Sequence, residues 1–167
     1  MILVVITAFG ITVLIVGYLS SPTFNDKTSF DLDSPPELVW KELVNIEAVN
    51  LKKGDVESVK VVDTYGKLIA WQEDLKNGGF RMYRMTNRIE EKNLVIELTD
   101  SSYGLTGKWY FVLERLEKGT KVSITEESNL SDSKIRGVRY FLGRNHDLLV
   151  WVKYIKVGVI ERLLTTP

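Results

Sequence analysis

No cysteine occurs anywhere in the 167-residue chain. Disulfide staples, thiolate nucleophiles and cysteine metal sites are therefore excluded. Histidine is nearly as scarce, with His146 alone, so neither a histidine cage for a metal nor a two-histidine proton relay can be assembled. Phosphate-binding glycine loops, zinc-ligand spacings and the serine elbow of lipases are missing as well. No metal and no cofactor is expected on these grounds. A formal net charge of zero argues against a nucleic-acid partner, because such proteins carry a basic excess. The first 25 residues contain no charged side chain, the earliest being Asp26.

That uncharged start reads MILVVITAFGITVLIVGYL to Leu19. Nineteen helical residues rise about 28 Å, close to the roughly 30 Å hydrocarbon core of a bilayer. No basic residue precedes the apolar run, and Tyr18 and Pro22 spoil the cleavage positions that a secretory signal needs. Residues 1-21 are thus expected to form an uncleaved, single-pass transmembrane anchor. The acidic flank at Asp26, Asp31 and Asp33 leans slightly towards an extracytoplasmic domain, since positive charge is retained inside. The short connection Ser20 to Asn25 would hold the domain beside the membrane.

Beyond the anchor, residues 27-165 read as one domain with one core. Lys27 to Asp33 alternates loosely and predicts a first strand at a sheet edge. Ser34-Pro35-Pro36-Glu37 is a helix-start signal, with Ser34 as cap and Glu37 closing a capping box. The helix follows to Asn45. From Gly54 the apolar period becomes two, predicting strands over 54–63, 67–75, 80–88, 94–99, 108–116 and 120–127. Asn77-Gly78-Gly79 is the sharpest turn signal between them. From residue 131 the period changes again: Val138, Phe141, Leu142, Leu148, Val152, Ile155, Val159 and Leu163 recur at helical spacing, with Gly143 placed to bend or divide the helix. Lys and Arg outnumber Asp and Glu by 7 to 3 in residues 131–167, against 15 to 19 in the rest. The basic side chains Arg136, Arg139, Arg144, Lys153, Lys156 and Arg162, interleaved with Tyr140, Trp151 and Tyr154, fit either a second contact with an anionic membrane or partner, or an ordinary solvated basic face.

An edge strand, a helix opened by two prolines, a six-strand meander and a long closing helix together resemble the helix-grip fold of the START-like, or SRPBCC, superfamily. The segments that carry the likeness run from Phe30 to Trp40, from Leu105 to Trp109 and from Gly119 to Glu126. They are most similar to the polyketide cyclase/dehydrase-like branch. The resemblance implies an α+β architecture, a curved antiparallel sheet of about seven strands wrapped around the C-terminal helix. It also implies an apolar cavity for a lipid or other hydrophobic small molecule, and leaves activity open, because a fold does not determine a function.

Strand parity names the residues expected to line that cavity. A two-residue turn at Asn77-Gly78 puts Trp71 and Glu73 on one face with Met82 and Arg84, and the more apolar character of this face assigns it to the concave side. Trp109 and Phe111 of a later strand join them, as do Val122, Ile124 and Glu126 of the last. Glu73, Arg84 and Glu126 would be the ligand-orienting polar set in an otherwise apolar pocket. His146 has no partner at a defined spacing and reads as a surface or helix-packing residue; no catalytic residue is assigned. The sequence reading is a membrane-tethered binder of a hydrophobic molecule. The alternatives are a cyclase/dehydratase-like enzyme using the same cavity and an interaction module with a filled core.

Overall fold

Seven strands form one antiparallel sheet in the order β1-β7-β6-β5-β4-β3-β2. The structure, a computed structural model, describes the backbone of residues 2–51 and 53–165 and the side chains of residues 5–48 and 53–164. The strands are β1 (Thr23–Leu32), β2 (Val56–Tyr65), β3 (Leu68–Leu75), β4 (Phe80–Ile89), β5 (Asn93–Ser101), β6 (Leu105–Arg115) and β7 (Thr120–Leu130). Each meander strand follows its predecessor through a short turn, and β1 closes the far edge by pairing with β7. The helices are α1 (Ile2–Leu19), α2 (Pro36–Leu43), α3 (Ile46–Leu51), α4 (Ser133–Leu142) and α5 (His146–Thr165).

Period-two alternation produces one buried face. Leu94, Ile96 and Leu98 of β5, Trp109, Phe111 and Leu113 of β6, and Val122 and Ile124 of β7 are all buried there. Against this face lies α5, which contributes Leu148, Trp151, Ile155 and Val159 at three-to-four spacing. Phe111 meets Trp151 edge-on at 5.1 Å between ring centres, an arrangement favoured by the ring quadrupoles. At its C-terminal half α5 also packs on α2, where Gly158 admits the buried Glu42 side chain: a Cβ at Gly158 would stand 2.1 Å from Glu42 Oε1.

Gly143, with φ of 105°, divides the C-terminal helix into α4 and the long α5, as its place in the sequence suggests. Several expectations need correction. Val138, Phe141 and Leu142 lie on α4 and are exposed; on α5, Trp151 faces the sheet where the single-helix stripe had placed Val152. The α2 cap is Pro35 without a side-chain bond, because Ser34 is buried and its carbonyl accepts from Thr120 Oγ1 at 2.7 Å. The second half of the connection expected over residues 20–25 is strand, as β1 begins at Thr23.

The transmembrane anchor is also overturned. Among the described residues, no helix is long and apolar enough to cross a membrane. The helix concerned is α1, Ile2–Leu19. It docks instead on α4 by close backbone approach. A Cβ at Gly137 would lie 2.1 Å from the Val13 carbonyl oxygen, and one at Gly17 would lie 1.8 Å from that of Ser133. Arg136 is buried and donates from Nε to the Gly17 carbonyl at 2.7 Å, satisfying a C-terminal carbonyl of α1. Phe9 and Phe141 complete the contact at 5.6 Å. The single-pass location and the lean towards an extracytoplasmic domain fall with the anchor.

The basic C-terminal region likewise has internal partners where a membrane contact was one of two expectations. Arg136 also reaches the carbonyls of Leu130 and Ser131, Arg139 pairs with Glu126 and Asp147, and Arg162 pairs with Glu42. Three of the seven basic side chains of residues 131–167 are thus engaged within the fold by carboxylates and backbone carbonyls.

Candidate functional site: a cleft between the sheet and the start of the closing helix

The interior is solid at one end and open at the other. Around the C-terminal half of α5, Val39, Trp40, Leu43, Ile155 and Val159 fill the space with the sheet. At the end marked by the β3–β4 and β5–β6 turns, the N-terminal half of α5 stands off the strands and leaves a cleft of about 530 Å³. Its aromatic walls are Tyr83, Trp109, Trp151 and Tyr154, and Leu105, Leu149 and Val150 add apolar surface. Lys53, Asp55, Arg81, His146 and Asp147 supply polar groups along it. A neighbouring hollow of about 460 Å³ shares Asp55, Arg81, Leu105, His146 and Asp147 and continues towards α4.

The polar groups form two ion-pair systems. In the first, Lys53 Nζ donates to Glu73 Oε1 at 2.8 Å, Arg81 Nη1 donates to Glu73 Oε2 at 3.2 Å, and Arg81 Nη2 reaches Asp55 at 2.5 Å. Glu73 is completely buried, and two cationic donors are what make a carboxylate tolerable there. Lys53 also stands over the rings of Trp151 and Tyr83, at 4.5 and 5.0 Å. Burial pulls the Lys53 ammonium below its ordinary pKa, with Glu73 working against the shift. Burial likewise pushes the Tyr83 phenol well above its usual value. In the second system, Arg139 Nη2 donates to Glu126 Oε1 at 2.7 Å and its Nη1 lies 2.9 Å from an Asp147 carboxylate oxygen as an ion pair, while Ser128 donates to the same Glu126 oxygen. Desolvation raises the Glu126 pKa, opposed by the Arg139 charge. Among the described residues, no group of three or more His, Asp or Glu side chains could hold a metal ion.

The expected pocket residues divide between the two faces. Trp71, Glu73, Trp109, Phe111, Val122, Ile124 and Glu126 are buried on the concave side. Of these, Trp109 lines the cleft and Glu73 braces Lys53 and Arg81, whereas Trp71 stacks on Tyr83 at 5.1 Å, and Phe111, Val122 and Ile124 are core. Met82 and Arg84 stand on the opposite face, where Arg84 pairs with Glu97 at 2.8 Å. The cause is the turn. Leu75 donates to the Gly79 carbonyl and Gly78, at φ of 82°, donates to that of Leu75, giving a three-residue loop of Lys76, Asn77 and Gly78 where a two-residue loop was expected. One extra residue flips the following strand, so Trp71 is opposite Tyr83 and Glu73 opposite Arg81.

The sequence did not single out Lys53, Asp55, Arg81, Tyr83, Arg139 or Asp147 as site residues. Arg81 and Tyr83 follow from the correct turn length. Lys53 ends the irregular segment before the predicted strand 54–63 and Asp55 lies at its start, where alternation gives neither a place in the pocket.

No protein-family model matches this chain, and no curated protein matches it by sequence. Solved structures do match in shape. The ZhuI aromatase/cyclase from Streptomyces sp. R1128 superposes with a TM-score of 0.70 at 9% identity, covering 84% of this chain and 96% of its own. A protein from Thermus thermophilus gives 0.66 at 15% identity over 87% and 100% of the two chains, and a START superfamily protein from Mycobacterium smegmatis gives 0.63 at 9% over 82% and 97%. At such identities the likeness speaks for architecture alone. The curved seven-stranded sheet gripping its C-terminal helix is the helix-grip fold.

Proposed function

We propose that the cleft binds a predominantly apolar, aromatic or acyl small molecule and acts on it in a cyclase- or dehydratase-like reaction. The observation that carries this reading is the gathering of Lys53, Asp55, Arg81, His146 and Asp147 along one aromatic-walled opening. A carrier of purely apolar cargo gains nothing from charged groups in a half-enclosed site, where each costs desolvation free energy unless paired. Enolate or oxyanion chemistry on a bound carbonyl does gain. Cationic Lys53 and Arg81 suit the developing negative charge, and Asp147 and His146 at the start of α5 are of the types that move protons. The likeness to an aromatase/cyclase supports the same class of chemistry. The membrane-tethered form of the binder has no support once the anchor is withdrawn.

Titration calorimetry with naphthalene and 2-naphthol, small stand-ins for a fused-ring ligand, tests whether the cleft is the site. Val150 is half-buried on α5 and lines the opening. Val150→Trp should fill it and weaken binding of both probes at least about tenfold, or about 1.4 kcal/mol, without lowering the unfolding midpoint much. Binding unchanged in a folded Val150→Trp variant would place the site elsewhere.

A further inference from the structure

β6 and β7 set Trp109 and Glu126 directly opposite each other. Both side chains belong to the concave face, Trp109 2% exposed and Glu126 0%. Each carries a buried polar atom without a hydrogen-bond partner, the indole Nε1–H of Trp109 and Oε2 of Glu126. The other carboxylate oxygen is engaged by Arg139 and Ser128, which anchors the group and leaves Oε2 as its open position. Trp109 is also part of the cleft wall.

An unmet donor and an unmet acceptor in a protein interior each carry the full cost of their lost hydration, and native structures rarely leave them so. Directly opposed side chains of an antiparallel pair have Cβ atoms about 4.5–5.5 Å apart, so the two groups are next neighbours on the concave face. A hydroxyl is the complement of a donor beside an acceptor, because it accepts and donates at once. A carbonyl or ether oxygen would satisfy only the indole. The buried Nε1 of Trp71 is also unpartnered, but that ring is stacked on Tyr83 away from the opening and no acceptor accompanies it.

We propose that Trp109 and Glu126 form a hydroxyl-recognising subsite at the back of the cleft, in which one O–H of the bound molecule accepts from Trp109 Nε1 and donates to Glu126 Oε2. The subsite rests on the reading that the cleft takes a fused-ring or similar apolar molecule, and it narrows that class to hydroxylated members. A resident water could occupy the same position, and the test separates the two.

The full chain is titrated with naphthalene and with 2-naphthol. The wild type should prefer 2-naphthol about tenfold, the effect of one well-made pair of hydrogen bonds. Trp109→Phe keeps an aromatic wall and removes the N–H; it should cut the ratio of 2-naphthol to naphthalene affinity to about threefold or less. In the wild type the Trp109 indole proton should also move downfield in the NMR spectrum with 2-naphthol and stay in place with naphthalene, a readout that needs no variant. Equal affinity for the two probes together with an unmoved indole proton means that water holds the position, and overturns the subsite while the cleft reading stands. A preference that persists in Trp109→Phe overturns it too. If neither probe binds the wild type, the cleft reading itself fails and takes the subsite with it.

Discussion

Arg139→Met should destabilise the domain by about 3–5 kcal/mol, the range for removing one member of a buried ion pair. The Arg139 side chain is 6% exposed, bonds Glu126 and the Arg144 carbonyl and forms an ion pair with Asp147, with its guanidinium 3.8 Å above the Phe24 ring. It therefore ties β7, β1, α4 and the start of α5 together. Without it, Glu126 is a carboxylate at 0% exposure whose remaining partner is the Ser128 hydroxyl. Burial already lifts the Glu126 pKa, and Arg139 is the main group opposing the lift, so the variant should raise it further. A carboxyl whose folded pKa lies above its unfolded value binds more protons in the folded state; the stability is greatest below the unfolded pKa and is lost as pH rises through the folded one. The deficit of Arg139→Met relative to the wild type should accordingly be smaller at pH 5 than at pH 8. Urea unfolding at the two pH values measures this. The double variant Glu126→Leu, Arg139→Met should recover most of the loss, since an apolar pair of similar size is commonly no worse than the ions it replaces. Additive losses would show that the two residues act separately.

A second large effect is expected at Gly119. It turns the chain between β6 and β7 at φ of 94°, and a Cβ there would stand 2.0 Å from the Leu32 carbonyl oxygen and 3.0 Å from the Asp33 Cα. Gly119→Ala meets both a strained backbone region and a backbone clash, so a loss of about 2–4 kcal/mol is expected. The end of β1 would have to move away from the hairpin. Gly66 is the control: it has φ of 60°, yet nothing lies within 4 Å of its would-be Cβ. Gly66→Ala should cost only about 1 kcal/mol, the left-handed strain by itself. Thermal midpoints of the two variants compare the terms directly, and equal losses would remove the steric part of the argument.

Much of the architecture is legible in the residues because it depends on local alternation. Leu94-Ile96-Leu98 and Val122-Ile124 can face only one way once a sheet forms, and Trp109 and Phe111 follow by the same rule. The β3–β4 hairpin shows the limit of parity. Asn77-Gly78 suits both a two-residue and a three-residue loop, and the choice decides whether Met82 or Tyr83 points inward. The site was less legible than the core. Glu73 and Glu126 are visible as carboxylates at apolar-phase positions, but their partners Lys53 and Arg139 come from an aperiodic turn and from a helix whose basic residues look solvent-facing in a linear reading. The first helix is the other instructive case. An uncharged run cannot by itself distinguish a membrane span from a helix docked through glycines, and the backbone approach of Gly17 and Gly137 depends on a partner more than 100 residues away.

The most direct test of the central claim is a crystal structure of the chain with 2-naphthol. The account predicts the ring system between the N-terminal half of α5 and the concave face, against Trp109 and Trp151, with its hydroxyl between Trp109 Nε1 and Glu126 Oε2. Density for the probe on the convex face or along α1 and α4, with the cleft empty, would contradict it.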